Sequence, residues 1–166
     1  VTSIRIASTA DIPLIHQLGK KAFYPTYLPF IGEAQVDYMF HKMYDAQALL
    51  QQMDERGDIF LIAFENETAL GFASYQLNYD GQQTAKLHKL YVLPDIQTKG
   101  IGKALLQTAE EQSRNAGQLS LLLNVNRYNK AVDFYKHLGY SIHKTDDIDI
   151  GNGFFMNDYE MIKSIK

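Results

Sequence analysis

The sequence predicts a mixed α/β protein, one domain spanning residues 1–166, and three observations carry that prediction. Apolar residues recur at helical spacing as far as Arg56. They switch to a period of two between Ile59 and Val92, then alternate between the two periods. Glycines punctuate the changes, at Gly57, Gly100, Gly102 and Gly139. The 166 residues are 46% hydrophobic and 21% charged, with no repeat or low-complexity linker to divide one core.

Thr2 to Ala7 reads as a short strand, and Ser8, Thr9 and Asp11 then offer helix-capping oxygens. Asp11 to Phe23 places Ile12, Ile15, Leu18 and Ala22 on one helical face. Pro25 and Pro29 predict that Tyr24 to Ile31 is an aromatic-rich loop. Glu33 to Met43 and Ala46 to Arg56 read as two more helices. Ile59 to Glu65, a turn at Asn66 and Glu67, and Ala69 to Asn78 form a hairpin. After a turn at Tyr79 to Gln82, Thr84 to Val92 adds a third strand. The loop Pro94 to Gly102 leads into a helix with Ile101, Ala104, Leu105, Thr108 and Ala109 on one face, ending near Gly117. Leu119 to Asn124 reads as a strand buried on both faces. Asn126 to Leu138 is predicted helical with Gly139 as its C-cap. Tyr140 to Lys144 and Phe154 to Ile162 are strands, and Asp146, Asp147 and Asp149 fall in an exposed loop.

Composition excludes several classes. There is no cysteine, hence no disulfide framework, thiolate zinc site or cysteine nucleophile, which favours the cytoplasm. A net charge of −3 argues against broad capture of nucleic acid. No apolar run approaches the ~20 residues of a membrane span, and no basic-then-apolar leader opens the chain. His16, His41, His137 and His143 are scattered without a metal-ligand spacing, so no metal is expected.

The segment Gln97-Thr98-Lys99-Gly100-Ile101-Gly102-Lys103 joins a strand to a helix. Glycines there let the backbone approach a ligand, and N–H groups converging on a helix start favour a phosphate. A Walker A loop would need glycine at Gln97 and Ser or Thr at Ala104, and a dinucleotide fingerprint would need glycine at Leu105. Both fail. From the loop alone, a glycine turn without a ligand reads equally well.

Two longer stretches resolve the choice. Leu87 to Ala104, LHKLYVLPDIQTKGIGKA, is followed by the run Asn126 to Tyr140, with Asn126, Asn129, Ala131, Phe134, Tyr135 and Gly139. The first resembles the strand, turn and Q/R-x-x-G-x-G/A loop of the GNAT N-acetyltransferases. The second resembles that superfamily's N-x-x-A-x-x-F-Y-x-x-x-G-F/Y signature. The resemblance covers roughly residues 84–142. The wording of Leu87 to Gly102 and of Asn157 to Met161 is similar to the bacterial polyamine (spermidine/spermine) acetyltransferase branch.

What the resemblance implies is specific. The fold would be a mostly antiparallel sheet in which the strands before and after the loop–helix unit splay apart, with acetyl-CoA in the gap. Leu90, Tyr91 and Val92 would pair with the pantetheine arm like an added strand. Gln97, Thr98, Lys99, Gly100, Ile101, Gly102 and Lys103 would hold the pyrophosphate, with Asn129 and secondarily Asn126 as side-chain contacts. Tyr135 would be the acid that protonates the leaving thiolate; a core aromatic is the competing reading. Many relatives carry a glutamate base where this chain has Lys86. His88 lies two residues on, on the same face of a strand, and its ordinary pKa of ~6.5 suits a base. A cross-strand polar residue is the equal alternative.

Tyr24, Tyr27, Phe30, Glu33 and Asp158 are the candidate acceptor-binding residues, against a packed aromatic loop for the first three. The acidic run at Asp146 could attract a polyamine or simply be solvated. The expected partner is a small-molecule amine, with no nucleic acid or membrane, and a homodimer is compatible. Two competing functions remain: a non-catalytic acyl-CoA-binding regulatory module on the same fold, and acetylation of a protein N-terminus or lysine.

Overall fold

A computed structural model describes residues 2–166, apart from the side chains of Gln97 and Thr98, so the contacts expected of those two side chains lie outside the described residues. The strands are β1 (Thr2–Ile6), β2 (Ile59–Glu65), β3 (Thr68–Gln76), β4 (Thr84–Val92), β5 (Ser120–Asn126), β6 (Ser141–Gly151) and β7 (Phe154–Ser164). The helices are α1 (Ile12–Ile31), α2 (Glu33–Tyr44), α3 (Ala46–Asp54), α4 (Ile101–Asn115) and α5 (Ala131–His137). The strands form one sheet in the order β1-β2-β3-β4-β5-β7-β6. All its neighbours are antiparallel except β4 and β5.

Each face of the sheet carries its own core, because successive side chains on a strand point to opposite faces. On one face Leu61, Ala73, Leu87, Leu123 and Met161 meet Leu105, Leu106 and Ala109 of α4 and Tyr135 of α5. On the other, Phe60, Ile62 and Phe72 meet Ile15, Phe23, Phe40, Tyr44 and Leu49 of the three N-terminal helices.

Three sequence expectations are corrected. Residues 24–31 are the last two turns of α1 rather than a loop. Lys21, Pro25 and Pro29 share its exposed face, so water can satisfy the carbonyls the prolines leave without donors, while Phe23 and Tyr27 anchor the opposite face. The acidic run is not a loop either. Asp146, Asp147 and Asp149 lie in β6, paired with Asp158, Asn157 and Phe155. Lys144 stands 3.6 Å from Asp146 and Arg127 pairs with Asp147, so two of the three charges are compensated on what is the sheet's outer strand. Finally, residues 126–130 are not helical: β5 runs to Asn126 and α5 begins at Ala131.

Candidate active site

The register between β4 and β5 shapes the site. The two strands pair from Thr84–Ser120 to Leu87–Leu123 and no further. Beyond that point β4 stays with β3 as far as Val92, while β5 stays with β7 as far as Asn126. A wedge opens between them, and it is a cleft of about 340 Å³. Leu90, Tyr91 and Val92 form one wall, Leu123, Asn124 and Val125 the other, with Gly100, Gly102 and Lys103 at one end and Asn129, Phe134 and Tyr135 on a third side.

Gly100 sits at φ 77°, a left-handed conformation that side chains disfavour, and it starts α4 without a side-chain cap. The first N–H groups of that helix therefore lack intrahelical acceptors. A Cβ at Gly102 would come 3.6 Å from Val92 and 3.7 Å from Phe134, so the missing side chain keeps the cleft open there. Ile101 is a core residue and offers only its backbone, while Lys99 and Lys103 are exposed. The wedge, the uncapped helix start and the absent Cβ fit an extended, phosphate-bearing coenzyme.

The two asparagines do different work. Asn129 lines the cleft, and its Oδ1 accepts the Ala131 N–H at 2.9 Å, opening α5. Asn126 is buried outside the cleft lining, with Oδ1 accepting the Tyr128 N–H at 2.9 Å, which suits a turn-forming role.

Tyr135 reaches the cleft from α5. Burial, then the nearby Tyr27, raises its pKa above the ordinary phenolic value and keeps the hydroxyl protonated. Across from it, the Tyr27 and Tyr91 hydroxyls lie 3.1 Å apart. Tyr24 instead donates to Asp37 at 2.6 Å and ties α1 to α2. Phe30 and Glu33 are exposed at the junction of those helices and do not line the cleft.

β4 carries a bulge opposite β3, because Ser74 pairs with Lys89 and Tyr75 with Leu87. The extra residue is His88. Its Nε2 lies 2.9 Å from Gln76 Oε1, an oxygen that only accepts, so the proton sits on Nε2 and the lone pair on Nδ1. Burial, then the cations of Arg56, Lys89 and Lys86, pushes its pKa down to about 3. The near-neutral value that commends this histidine as a base is therefore lost. Next to it, Lys89 is buried between Tyr44 and Phe60, donates to Gln52 Oε1 at 2.9 Å, and is pushed down to about 7 by burial and then Arg56.

A polar stripe crosses the sheet beside the cleft and joins the sequence candidates Asp158 and Asn126 to Asn124 and Glu160, which the sequence reading did not single out. Register pairs Asn124 with Glu160, Asn126 with Asp158, Lys144 with Glu160 and Asp146 with Asp158. Lys86 donates to Asn124 Oδ1. Asp158 is 4% exposed, and its Oδ1 is buried without a hydrogen-bond partner among the described residues. Asn124 Nδ2 donates to its other oxygen at 3.5 Å. Burial raises the Asp158 pKa to about 6, with the Asn124 hydrogen bond and the Lys86 charge opposing. The signal was period-two polarity in strands otherwise apolar: Asn124 with Asn126, and Asp158 with Glu160.

Comparison with known proteins agrees with this geometry. The family model described as "Acetyltransferase (GNAT) family" matches residues 21–140. A spermidine N(1)-acetyltransferase of Thermoplasma acidophilum is 28% identical over 151 residues, covering 88% of this chain and 92% of that protein. The solved structure of the PaiA N-acetyltransferase of Thermoplasma acidophilum, in complex with coenzyme A, superposes with a TM-score of 0.82 at 25% identity, covering 99% of each chain. The ribosomal-protein-S18-alanine N-acetyltransferase of Escherichia coli shares the fold at TM-score 0.76 and 20% identity, covering 100% of this chain and 95% of that one. A splayed sheet with an uncapped helix start suits an acyl-CoA-dependent acyltransferase, and the chain belongs to the acetyltransferase (GNAT) family. It is an N-acetyltransferase whose acetyl donor is acetyl-CoA.

Proposed function

We propose that the chain acetylates a primary amine of a small cationic molecule, of the polyamine class, and that the acceptor enters from the face carrying Asp158. The observation behind this reading is the buried Asp158 carboxylate, one oxygen unpartnered among the described residues and the other accepting from Asn124 of the cleft wall. The 28% identical spermidine N(1)-acetyltransferase supports the same class. Three contacts also favour a small acceptor over a peptide. Tyr38 Oη and Lys42 Nζ donate to Ile150 O at 2.9 Å each, and Gln35 Nε2 donates to Phe155 O at 2.7 Å. They fasten the β6–β7 hairpin onto α2 and narrow the approach.

Acetyl-CoA supplies an acyl carbon activated as a thioester. The β4 edge at Leu90 to Val92 would hold the pantetheine arm, and the backbone from Gln97 to Lys103 would hold the diphosphate, with Asn129 alongside. Tyr135 Oη, kept protonated by burial, gives its proton to the departing sulfur. An alkylammonium of pKa ~10.4 must lose a proton at a cost of ~4–5 kcal/mol near neutrality. Asp158, ionised above about pH 6, draws in the cation and takes that proton directly or through water. His88 Nδ1 keeps a lone pair but a weak proton affinity, so it serves better in orienting water than as the final acceptor.

The deciding experiment is thiol release from acetyl-CoA with a panel of polyamines, monoamines, amino acids and peptides. Turnover highest with polyamines supports the reading. Turnover confined to peptides overturns it, and coenzyme binding without turnover on any amine points instead to a regulatory module.

A further inference from the structure

Lys86 brings a positive charge into the middle of the polar stripe. Its ammonium donates to Asn124 Oδ1 and lies 4.9 Å from the centroid of the Tyr79 ring. The residue is 9% exposed. Burial lowers its pKa, while Glu160 and then Asp158 are the leading charges that raise it again. An amide oxygen, an aromatic face and two carboxylates are the groups that recognise a substrate ammonium. Here the amide oxygen and the aromatic face are taken by a side chain of the protein itself, with the two carboxylates acting on it through space. The seat also holds acceptor capacity that Lys86 does not use, because Asp158 Oδ1 has no hydrogen-bond partner among the described residues.

We infer that Lys86 is a built-in occupant of a second cation seat next to the acceptor site, and so a specificity-determining residue. Resting on the acceptor reading above, this makes the enzyme select amines whose second charge lies far from the reacting nitrogen. A neighbouring substrate cation would meet Lys86 at close range, and like charges brought together there repel. Lys144, 3.4 Å from Glu160 and 3.6 Å from Asp146, closes the outer side of the same seat. With Lys86 removed, the two carboxylates face the space it fills, and a substrate's second ammonium can take its place.

The test is Lys86→Ala, with Lys86→Ser as a second small variant should the first fail to fold. Propylammonium alone is titrated against wild type and variant in a thermal-shift assay, which needs neither coenzyme nor turnover. Saturable stabilisation of the variant but not of wild type, lost again when Asp158→Asn is added, is expected. In parallel, kcat/KM is compared for a short diamine and a monoamine of equal length, and the ratio is expected to rise about tenfold in the variant, equivalent to ~1.4 kcal/mol. Equal shifts in wild type and variant, or an unchanged ratio, overturn the seat. So does a loss confined to carboxylate-bearing amines, which would make Lys86 a carboxylate anchor. Propylammonium stabilising the variant while no amine is acetylated keeps the seat and removes the acceptor reading. The reverse result removes the seat alone.

Discussion

At the residue scale, the proposed chemistry depends on how burial moves two protons. Tyr135 is held protonated, and Asp158 is pushed up to about 6 by burial. Tyr135→Phe removes the donor while keeping the ring contacts with Phe134 and Tyr140. It should lower kcat by ~10²–10⁴-fold with the coenzyme Kd unchanged, as calorimetry can verify. Asp158→Asn should lower kcat/KM for amines by ~10²-fold and erase the rise in the pH profile near pH 6. The same variant has a stability signature of opposite sign. The folded chain holds the Asp158 proton more tightly than the unfolded one, so this group's contribution is full below its unfolded pKa of 3.8 and is lost as pH rises through about 6. Asp158→Asn should therefore raise Tm at neutral pH and leave it unchanged near pH 3, by calorimetry. The place of Tyr135 in the cleft was legible because it sits in a motif. The weak basicity of His88 was not, because it comes first from burial and then from Arg56, both of which only folding supplies, with the sequence neighbours Lys89 and Lys86 adding to them.

At the element scale, local period and punctuation placed most strands and helices, and tertiary contacts decided the exceptions. The last turns of α1 survive two prolines because both face water while Phe23 and Tyr27 are buried. β6 stays extended through three aspartates because β7 supplies its ladder and Lys144 and Arg127 supply countercharge to Asp146 and Asp147. No local rule contains that information. The loop–helix unit is the opposite case, since Gly100 and Gly102 are legible as glycines and the structure gives each a task. Gly102→Val should fill the space next to Val92 and Phe134. A rise of at least about tenfold in the coenzyme Kd, or ~1.4 kcal/mol, is expected, with far-UV circular dichroism unchanged.

At the scale of the whole molecule, the acceptor approach is framed by parts distant in sequence. α2 holds the β6–β7 hairpin through Gln35, Tyr38 and Lys42. Tyr38→Phe deletes one of those bonds, worth ~1 kcal/mol. It should raise the amine KM several-fold while the acetyl-CoA KM stays put, a split that initial-rate kinetics will detect. The short parallel stem has a consequence of its own. Since β4 and β5 share only the pairs from Thr84–Ser120 to Leu87–Leu123, little backbone bonding joins the two halves of the sheet. A coenzyme lying against both strand edges, as proposed, would act as a rivet across that seam. Mass action then adds ~2.7 kcal/mol of stability at a hundredfold excess over Kd. Amide hydrogens from His88 to Val92 should exchange with deuterium more slowly once coenzyme A is added. In a cell, the lifetime of the chain against proteases would rise and fall with the supply of its own donor.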